Sequence, residues 1–242
     1  MPRTSPLCRI PSSELARCLS CTIEAAGGRC VRIDVRGGSV AFVVRDGGRV
    51  YAAEAEVEQS VDDAEVVIDA AAARKMLAVA RRHGDEPAQL VTAGGAVALT
   101  IGRDFVAAEA CRCDGQPWRA AVPCRRTQPT KVVAADFFKA FSSAAGSSVA
   151  GDPLQIVFST RWVRVASMAG KSAACPALGT AAETVLHVDP RHLRGWVGAL
   201  APEAVLTVDP GDGFVPAVFS HDDALAVVPV SMVNGVETGE LA

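Results

Sequence analysis

Hydrophobic and polar positions alternate along most of this chain in short runs, and helical spacing replaces the alternation in four places. In the first half, residues 30–38 (CVRIDVRGG), 39–48 (SVAFVVRDGG) and 49–58 (RVYAAEAEVE) read as strands divided by Gly-Gly turns, with a shorter strand at 66–68. Residues 87–95, 96–102 and 104–110 show the same pattern. Between these groups, residues 69–83 form a helix opened by Asp69. Before them, Leu15, Cys18, Leu19, Thr22 and Ile23 make the inner stripe of a helix capped by Ser12 or Ser13. The second half repeats the order. A helix over 135–147 precedes strands at 153–159 and 162–168, a loop holding Gly170, Lys171 and Pro176, and a strand at 184–188. A helix over 189–200, opened by Asp189, then leads to strands at 204–210, 214–220 and 223–232.

Helix, strands, helix, strands thus occurs twice, the mark of a duplicated unit. The pattern predicts an α+β protein of two tandem domains, each a mainly antiparallel sheet with two helices on one face. The domains fall at residues 1–125 and 126–232, joined by the basic, Pro-containing stretch CRRTQPT, and a tail follows at 233–242. The length of 242 residues suits two domains of ordinary size. An apolar half dominated by Val and Ala, with one Tyr, three Trp and eight Phe, suits sheet more than helix.

Charge changes the picture. The formal net charge of −3 excludes a generally basic nucleic-acid coat, so contact with a polyanion needs locally clustered cations. At ~100° per residue, Arg74, Lys75, Arg81 and Arg82 fall within an arc of roughly 120°, mostly opposite Ala73, Met76, Leu77 and Ala80. On the helix after Asp189, Leu193, Trp196, Val197 and Leu200 form the apolar face, with Arg191 and Arg194 across from it. The helix over 135–147 buries Phe137, Phe138 and Phe141 and turns Lys139 and Ser143 outward. On the first helix, Arg17 shares the outer face with Glu24. Acidic residues concentrate instead in strands and loops, among them Glu54, Glu56, Asp62, Asp63 and Glu65. One basic face is ordinary solvated helix surface. Three such faces in an acidic protein, on helices sharing one side of the sheets, suit contact with phosphates. No aromatic platform for single strands and no base-reading helix accompanies them, so the expected ligand is duplex DNA, bound without sequence preference.

Other chemistries find little support. No apolar run approaches the ~18 residues of a membrane span and no signal-peptide core opens the chain, so a cytoplasmic, nucleoid-associated protein is expected. The eight cysteines include Cys18 and Cys21 at CxxC spacing and a cluster at Cys111, Cys113 and Cys124. No second CxxC or His pair completes a zinc set, and Cys18 lies on an apolar helix face, so buried free thiols and no metal are expected. His83, His187, His192 and His221 are scattered, and no carboxylate pair, nucleophile elbow or phosphate loop appears. The expectation is a protein with no catalytic residues and no cofactor.

Three segments resemble the bacterial sliding clamp, the beta subunit of the replicative DNA polymerase. VRDGGRVY (44–51) is similar to that family's ATDGHRLA signature, keeping Asp46, Gly47 and Arg49. QPWRAAVP (116–123) resembles the FPDYRRVIP segment closing the clamp's middle domain. Residues 188–232, from VDPRHLRGWVGAL to VPVSM, follow the clamp's last domain in helix start, turn and strand order. The resemblance implies that residues 1–125 correspond to the middle domain and 126–232 to the C-terminal one, with the first domain absent. It implies a processivity scaffold that holds duplex DNA through the basic helices Arg17, Arg74, Lys75, Arg81, Arg82, Lys139, Arg191 and Arg194. It also implies a hydrophobic groove for short linear motifs of DNA polymerase, clamp loader or repair proteins, formed by Gly47, Gly48, Arg49, Val50, Pro123, Val228, Pro229, Val230 and Met232. The family's His stands here as Gly48, its terminal Met as Val228 and its Arg as Ser231. A family ring has six such domains, which a two-domain chain reaches as a homotrimer; otherwise it stays open or monomeric. The alternative is a non-ring adaptor or competitor that binds clamp ligands or a clamp protomer.

Overall fold

The structure, a computed structural model, describes residues 4–24, 30–60, 63–112, 117–123, 129–146, 152–179, 184–210 and 216–229. The chain divides into two compact units: Met1–Val122 with Gly195–Leu200 and Ser220–Val227, and Pro123–Arg194 with Ala201–Phe219 and Val228–Ala242.

The first unit runs β1 (Thr4–Pro11), α1 (Ser12–Leu19), β2 (Cys30–Arg36), β3 (Ser39–Asp46), β4 (Arg49–Glu56), β5 (Gln59–Ser60), β6 (Ala64–Asp69), α2 (Ala70–Ala80), β7 (Pro87–Ala93), β8 (Ala96–Ile101) and β9 (Asp104–Glu109). Its strands fall into the orders β5-β1-β7-β8-β9 and β6-β2-β3-β4. The pairs are antiparallel, with Arg36 opposite Ser39 and Asp46 opposite Arg49 across two-residue turns. Gly37 and Gly38 sit at φ +56° and +85°, the left-handed pair that a tight hairpin between right-twisting strands requires. Strands β2 and β3 are buried along nearly their whole length, so both of their faces are covered, the face of Asp34 by Trp118 and Arg119. Leu15, Leu19, Ile33, Phe42, Tyr51 and Ile68 are fully inaccessible and form this unit's core.

The later elements are β10 (Thr130–Val133), α3 (Ala134–Ala145), β11 (Leu154–Phe158), β12 (Trp162–Ser167), β13 (Ser172–Pro176), β14 (Thr184–Val188), α4 (Pro190–Gly198), β15 (Val205–Asp209), β16 (Ala217–His221) and β17 (Ala224–Val228). Their strand orders, β14-β11-β12-β13 and β10-β15-β16-β17, reproduce β6-β2-β3-β4 and β1-β7-β8-β9 strand for strand. In the second unit Phe137 packs its ring 5.9 Å from Phe141 and 6.3 Å from Phe219, centroid to centroid. All three rings are inaccessible.

The α+β reading holds: the described residues form antiparallel sheets and four α-helices, in the duplicated order expected of clamp-like domains. Several local expectations need correction. Ser12 does not cap α1. Pro11 occupies the cap position, and Ser12 is the first helical residue, its hydroxyl donating to the Glu86 carbonyl at 2.6 Å. The helix continues past Leu19 as a π-helical turn, Ser20–Glu24. Residues 4–11 form a strand that pairs with β7, although Pro6 and Pro11 break its sequence signal. The expected loop around Lys171 holds strand β13, whose Ala-rich sequence lacks the β-branched residues that advertise a strand. Phe138 is half-buried, while Phe137 and Phe141 are inaccessible.

Candidate nucleic-acid and peptide interface

Helix α2 begins where Asp69 leaves the extended backbone of β6. Its carboxylate accepts the Ala72 N–H at 2.6 Å, satisfying one of the first-turn donors. From there the apolar positions turn inward, and Ala72, Ala73, Met76, Leu77 and Ala80 are buried. Exposed Ala71, Arg74, Lys75, Ala78, Arg81 and Arg82 form the opposite face. Arg82 is tied to Asp104 at 3.0 Å, and the Arg81 guanidinium donates to the Ser20 hydroxyl at 3.0 Å. His83 lies between Asp104, 2.9 Å from its Nε2, and Glu86, 3.4 Å from its Nδ1. The hydrogen bond to Asp104 outweighs desolvation and lifts the His83 pKa above its ordinary value. The same bond lowers that of Asp104. Arg74 and Lys75 have no ion pair among the described residues.

Arg17 on α1 is half-buried and already occupied. It pairs with Glu14 at 2.8 Å and donates to the Glu54 carbonyl at 2.7 Å. In the second unit Lys139 and Ser143 are exposed on α3. Asp189 opens α4 by accepting the Arg191 N–H at 2.9 Å, and its carboxylate also grips the Arg191 guanidinium. That guanidinium bond, ahead of the opposing desolvation, depresses the Asp189 pKa. Arg194 is exposed one turn on. Among the described residues, then, Arg74, Lys75, Lys139 and Arg194 stand without a side-chain partner, while Arg17, Arg81, Arg82 and Arg191 are held by neighbours.

The turn at Gly47 lies at φ +59°. Arg49 folds back over it, donating from Nε to the Asp46 carbonyl at 2.9 Å and approaching the Asp46 carboxylate at 2.7 Å. β17 lies antiparallel to β4 with Val227 opposite Val50 and Leu225 opposite Ala52. This sets the Gly47–Gly48–Arg49–Val50 turn alongside the last strand. Val50 and Val228 are buried, Pro123 is half-buried and Pro229 is exposed. Val230 and Met232 lie outside the described residues, as do Cys113 and Cys124 of the cysteine cluster.

One constellation has no counterpart in the sequence reading. Asp34, in the middle of β2 and 2% exposed, accepts the Trp118 indole N–H at 3.1 Å, an Arg119 N–H at 2.8 Å and the Arg36 Nε–H at 2.7 Å. Arg119 reaches on to Glu54 at 2.9 Å and stacks over the Trp118 ring, 4.4 Å from its centroid. Burial alone would raise the Asp34 pKa. The bonds from Arg36 and Trp118, with the charges of Arg36 and Arg119, reverse this and hold it below the usual carboxylate range. The signal in the sequence was the run of charged residues 32, 34 and 36 on one face of an otherwise apolar strand.

Cys8, Cys18, Cys21 and Cys175 are buried free thiols. Burial pushes Cys8 and Cys18 up to about 12, and Cys175 to about 11. Among the described residues no group of His, Cys, Asp or Glu could hold a metal ion. No helix among them is long and apolar enough to cross a membrane.

The duplicated antiparallel sheets with their paired helices are the fold of the bacterial DNA sliding clamps. More particularly, the similar solved structures are DNA polymerase III beta subunits. The Pseudomonas aeruginosa sliding clamp superposes with a TM-score of 0.81 at 15% identity, covering 93% of this chain and 65% of its own. The Thermotoga maritima beta subunit gives 0.79 at 13%, covering 96% and 67%. The Caulobacter crescentus clamp gives 0.79 at 15%, covering 95% and 66%. The chain thus spans about two thirds of the length of the clamps it matches. No protein-family model and no curated protein sequence matches it.

Proposed function

We propose that this chain is a sliding-clamp-like scaffold without catalytic chemistry, which contacts duplex DNA through the outer faces of its helices and takes up partner peptides beside the Gly47 turn. The observation that carries the reading is the clamp fold across 93–96% of the chain, joined to the exposed cationic face of α2. The similar structures are called sliding clamps and DNA polymerase III beta subunits, which suggests polymerase and other replication or repair proteins as partners here. On the same grounds the domain boundary falls near residue 125, with residues 233–242 as a tail. The setting is the cytoplasm, at the nucleoid, and the working form is a homo-oligomer, a trimer if a ring closes. Gly47, Gly48, Arg49, Val50, Pro123, Val228, Pro229, Val230 and Met232 line the peptide site. An apolar slot beside a hairpin turn suits an extended peptide, because side chains enter the slot while polar groups of the turn fix the backbone.

The test is salt-dependent binding to nicked circular duplex. Of the eight expected cations, Arg74, Lys75, Lys139 and Arg194 are those without a side-chain partner among the described residues, so replacing all of them by Gln should flatten the plot of log K against log salt. Every phosphate that a cation ceases to neutralise takes ~0.9 off the slope. Replacing Arg17 and Arg191, already held by carboxylates, should change it far less. An unchanged slope in the fourfold variant would refute DNA binding through these helices.

A further inference from the structure

In the first unit, the sheet face turned away from the helices is closed by the chain that leaves β9. The Cys111 N–H donates to the Val67 carbonyl of β6 at 2.7 Å, and Trp118 and Arg119 then lie against Asp34. Across this face the strand register sets Glu65, Asp34, Ala41 and Glu54 in one row. Asp34 is 2% and Ala41 0% exposed. Arg119 answers the negative charge of the row by bonding both Asp34 and Glu54.

The second unit has the same face without that cover. Asp189 opens α4 as Asp69 opens α2, and the strand register counted back from these two caps gives the corresponding row: Val185, Val157, Arg164 and Ala174. Val157 is half-buried, Val185 is 47% exposed, and Arg164 and Ala174 are exposed. Trp162, on the same face of β12, is 40% exposed. The three carboxylates of the first row are replaced by Val185, Val157 and Ala174, and its alanine by a cation. Among the described residues no carboxylate pairs with Arg164.

The segment that would cover this row changes in the matching sense. β17 holds the place of β9 in the duplicated strand orders, and residues 230–242, which follow it, lie outside the described residues. Residues 110–121, after β9, read ACRCDGQPWRAA and carry Arg112 and Arg119. Residues 230–241, after β17, read VSMVNGVETGEL, with no Lys or Arg, and set Val233, Val236 and Leu241 among Glu237 and Glu240. The face has exchanged carboxylates for apolar groups and one arginine. The segment has exchanged its arginines for carboxylates and aliphatic groups. A joint inversion of this kind is what two surfaces in contact require and two unrelated ones do not.

We propose that residues 233–242 strap the outward face of β14-β11-β12-β13 in the same chain, with their Val and Leu side chains on Val157, Val185 and Trp162 and the Glu237–Glu240 stretch on Arg164. A few aliphatic contacts and one exposed ion pair hold the strap, so it closes reversibly rather than as part of the core. The inference goes beyond the scaffold reading and needs neither DNA nor peptide binding.

The test is methyl NMR of the full chain and of a chain ending at Met232. In the full chain the Val157 and Val185 methyls should show nuclear Overhauser contacts to the methyls of Val236 or Leu241, unchanged on dilution. Ending the chain at Met232 should shift the Val157 and Val185 methyls and leave those of Val31 and Ile33 in place. Arg164→Glu should speed cleavage of the folded chain after Glu237 and Glu240 by a glutamyl endopeptidase about fivefold, the ratio that loss of a ~1 kcal/mol surface pair gives. Arg164→Lys, which keeps the charge, should leave cleavage slow. If the shortened chain fails to fold, the methyl contacts and the cleavage ratio in the full chain decide. Val157 and Val185 methyls indifferent to the tail, or cleavage as fast as in the isolated tail peptide, overturn the proposal. Contacts that fade on dilution assign the tail to a second copy and overturn it as well.

Discussion

Replacing Asp34 by Ala should cost about 2–3 kcal/mol of folding stability, mostly through a single orphaned donor. Trp118 is 4% exposed, so without the Asp34 carboxylate its indole N–H is left inside the fold unpaired, which alone costs ~1–3 kcal/mol. Arg36 and Arg119 add little, because their side chains are 53% and 44% exposed and regain water. Asp34→Asn keeps a carbonyl for the indole and should cost less than Asp34→Ala. A double-mutant cycle with Trp118→Phe separates the bond from the packing. The two changes should couple by about 1–2 kcal/mol, since the second removes the donor that the first would orphan. Urea unfolding followed by both fluorescence and circular dichroism, with coincident transitions, reads the energies. Additive single changes would show that the indole bond carries no net stability and would refute the reasoning.

Acid sensitivity follows from the same carboxylate. Its folded pKa lies below the unfolded ~3.9, so its contribution is complete above that value and fades as pH falls through the folded one. Asp34→Asn should accordingly flatten the acid limb of stability against pH. His83 has the opposite sign: its raised pKa makes its contribution complete below the ordinary ~6.5 and lost as pH rises through the folded value. Proton NMR of the His83 ring should show its titration moving down in Asp104→Asn. Gly47→Ala should destabilise by about 1 kcal/mol in thermal melts; no atom lies within 4 Å of the added Cβ, so the whole cost is the left-handed backbone. Cys8, Cys18 and Cys175 should resist alkylation at pH 8 until urea unfolds the chain, as peptide mass mapping would show, because burial keeps their thiols protonated.

The sequence was most legible where one face of an element is wet. Helix α2 declared its cap, apolar stripe and cationic face through spacing alone, and all three stand as read. β3 and β4, although buried along most of their length, were plain for another reason: a Gly-Gly turn punctuates two runs of apolar, β-forming residues. What stayed hidden depended on partners distant along the chain. β1 contains prolines and is a strand because β7 supplies its bonds; β13 is alanine-rich and is a strand because β12 does. The pairing of Arg17 with the Glu54 carbonyl, and the meeting of Asp34 with Trp118 and Arg119, likewise join residues that no local window holds together. Half of the expected cations turned out to be occupied for this reason: residue type fixes charge, but folding decides which charges remain free.

The same distinction extends from charges to strand edges. The two repeats use their edges differently although their strand orders match. Among the described residues β17 pairs with β4, whereas β9 and β13 are each paired on one side only. The residues follow the difference. Where Ala52 is shielded beneath Leu225, the open edges show Phe105 and Ala174 to solvent, and whereas Glu54 donates a backbone bond, Pro176 has no N–H to give. A proline at the end of an otherwise open edge limits how far another strand can zip along it without abolishing the central pairs.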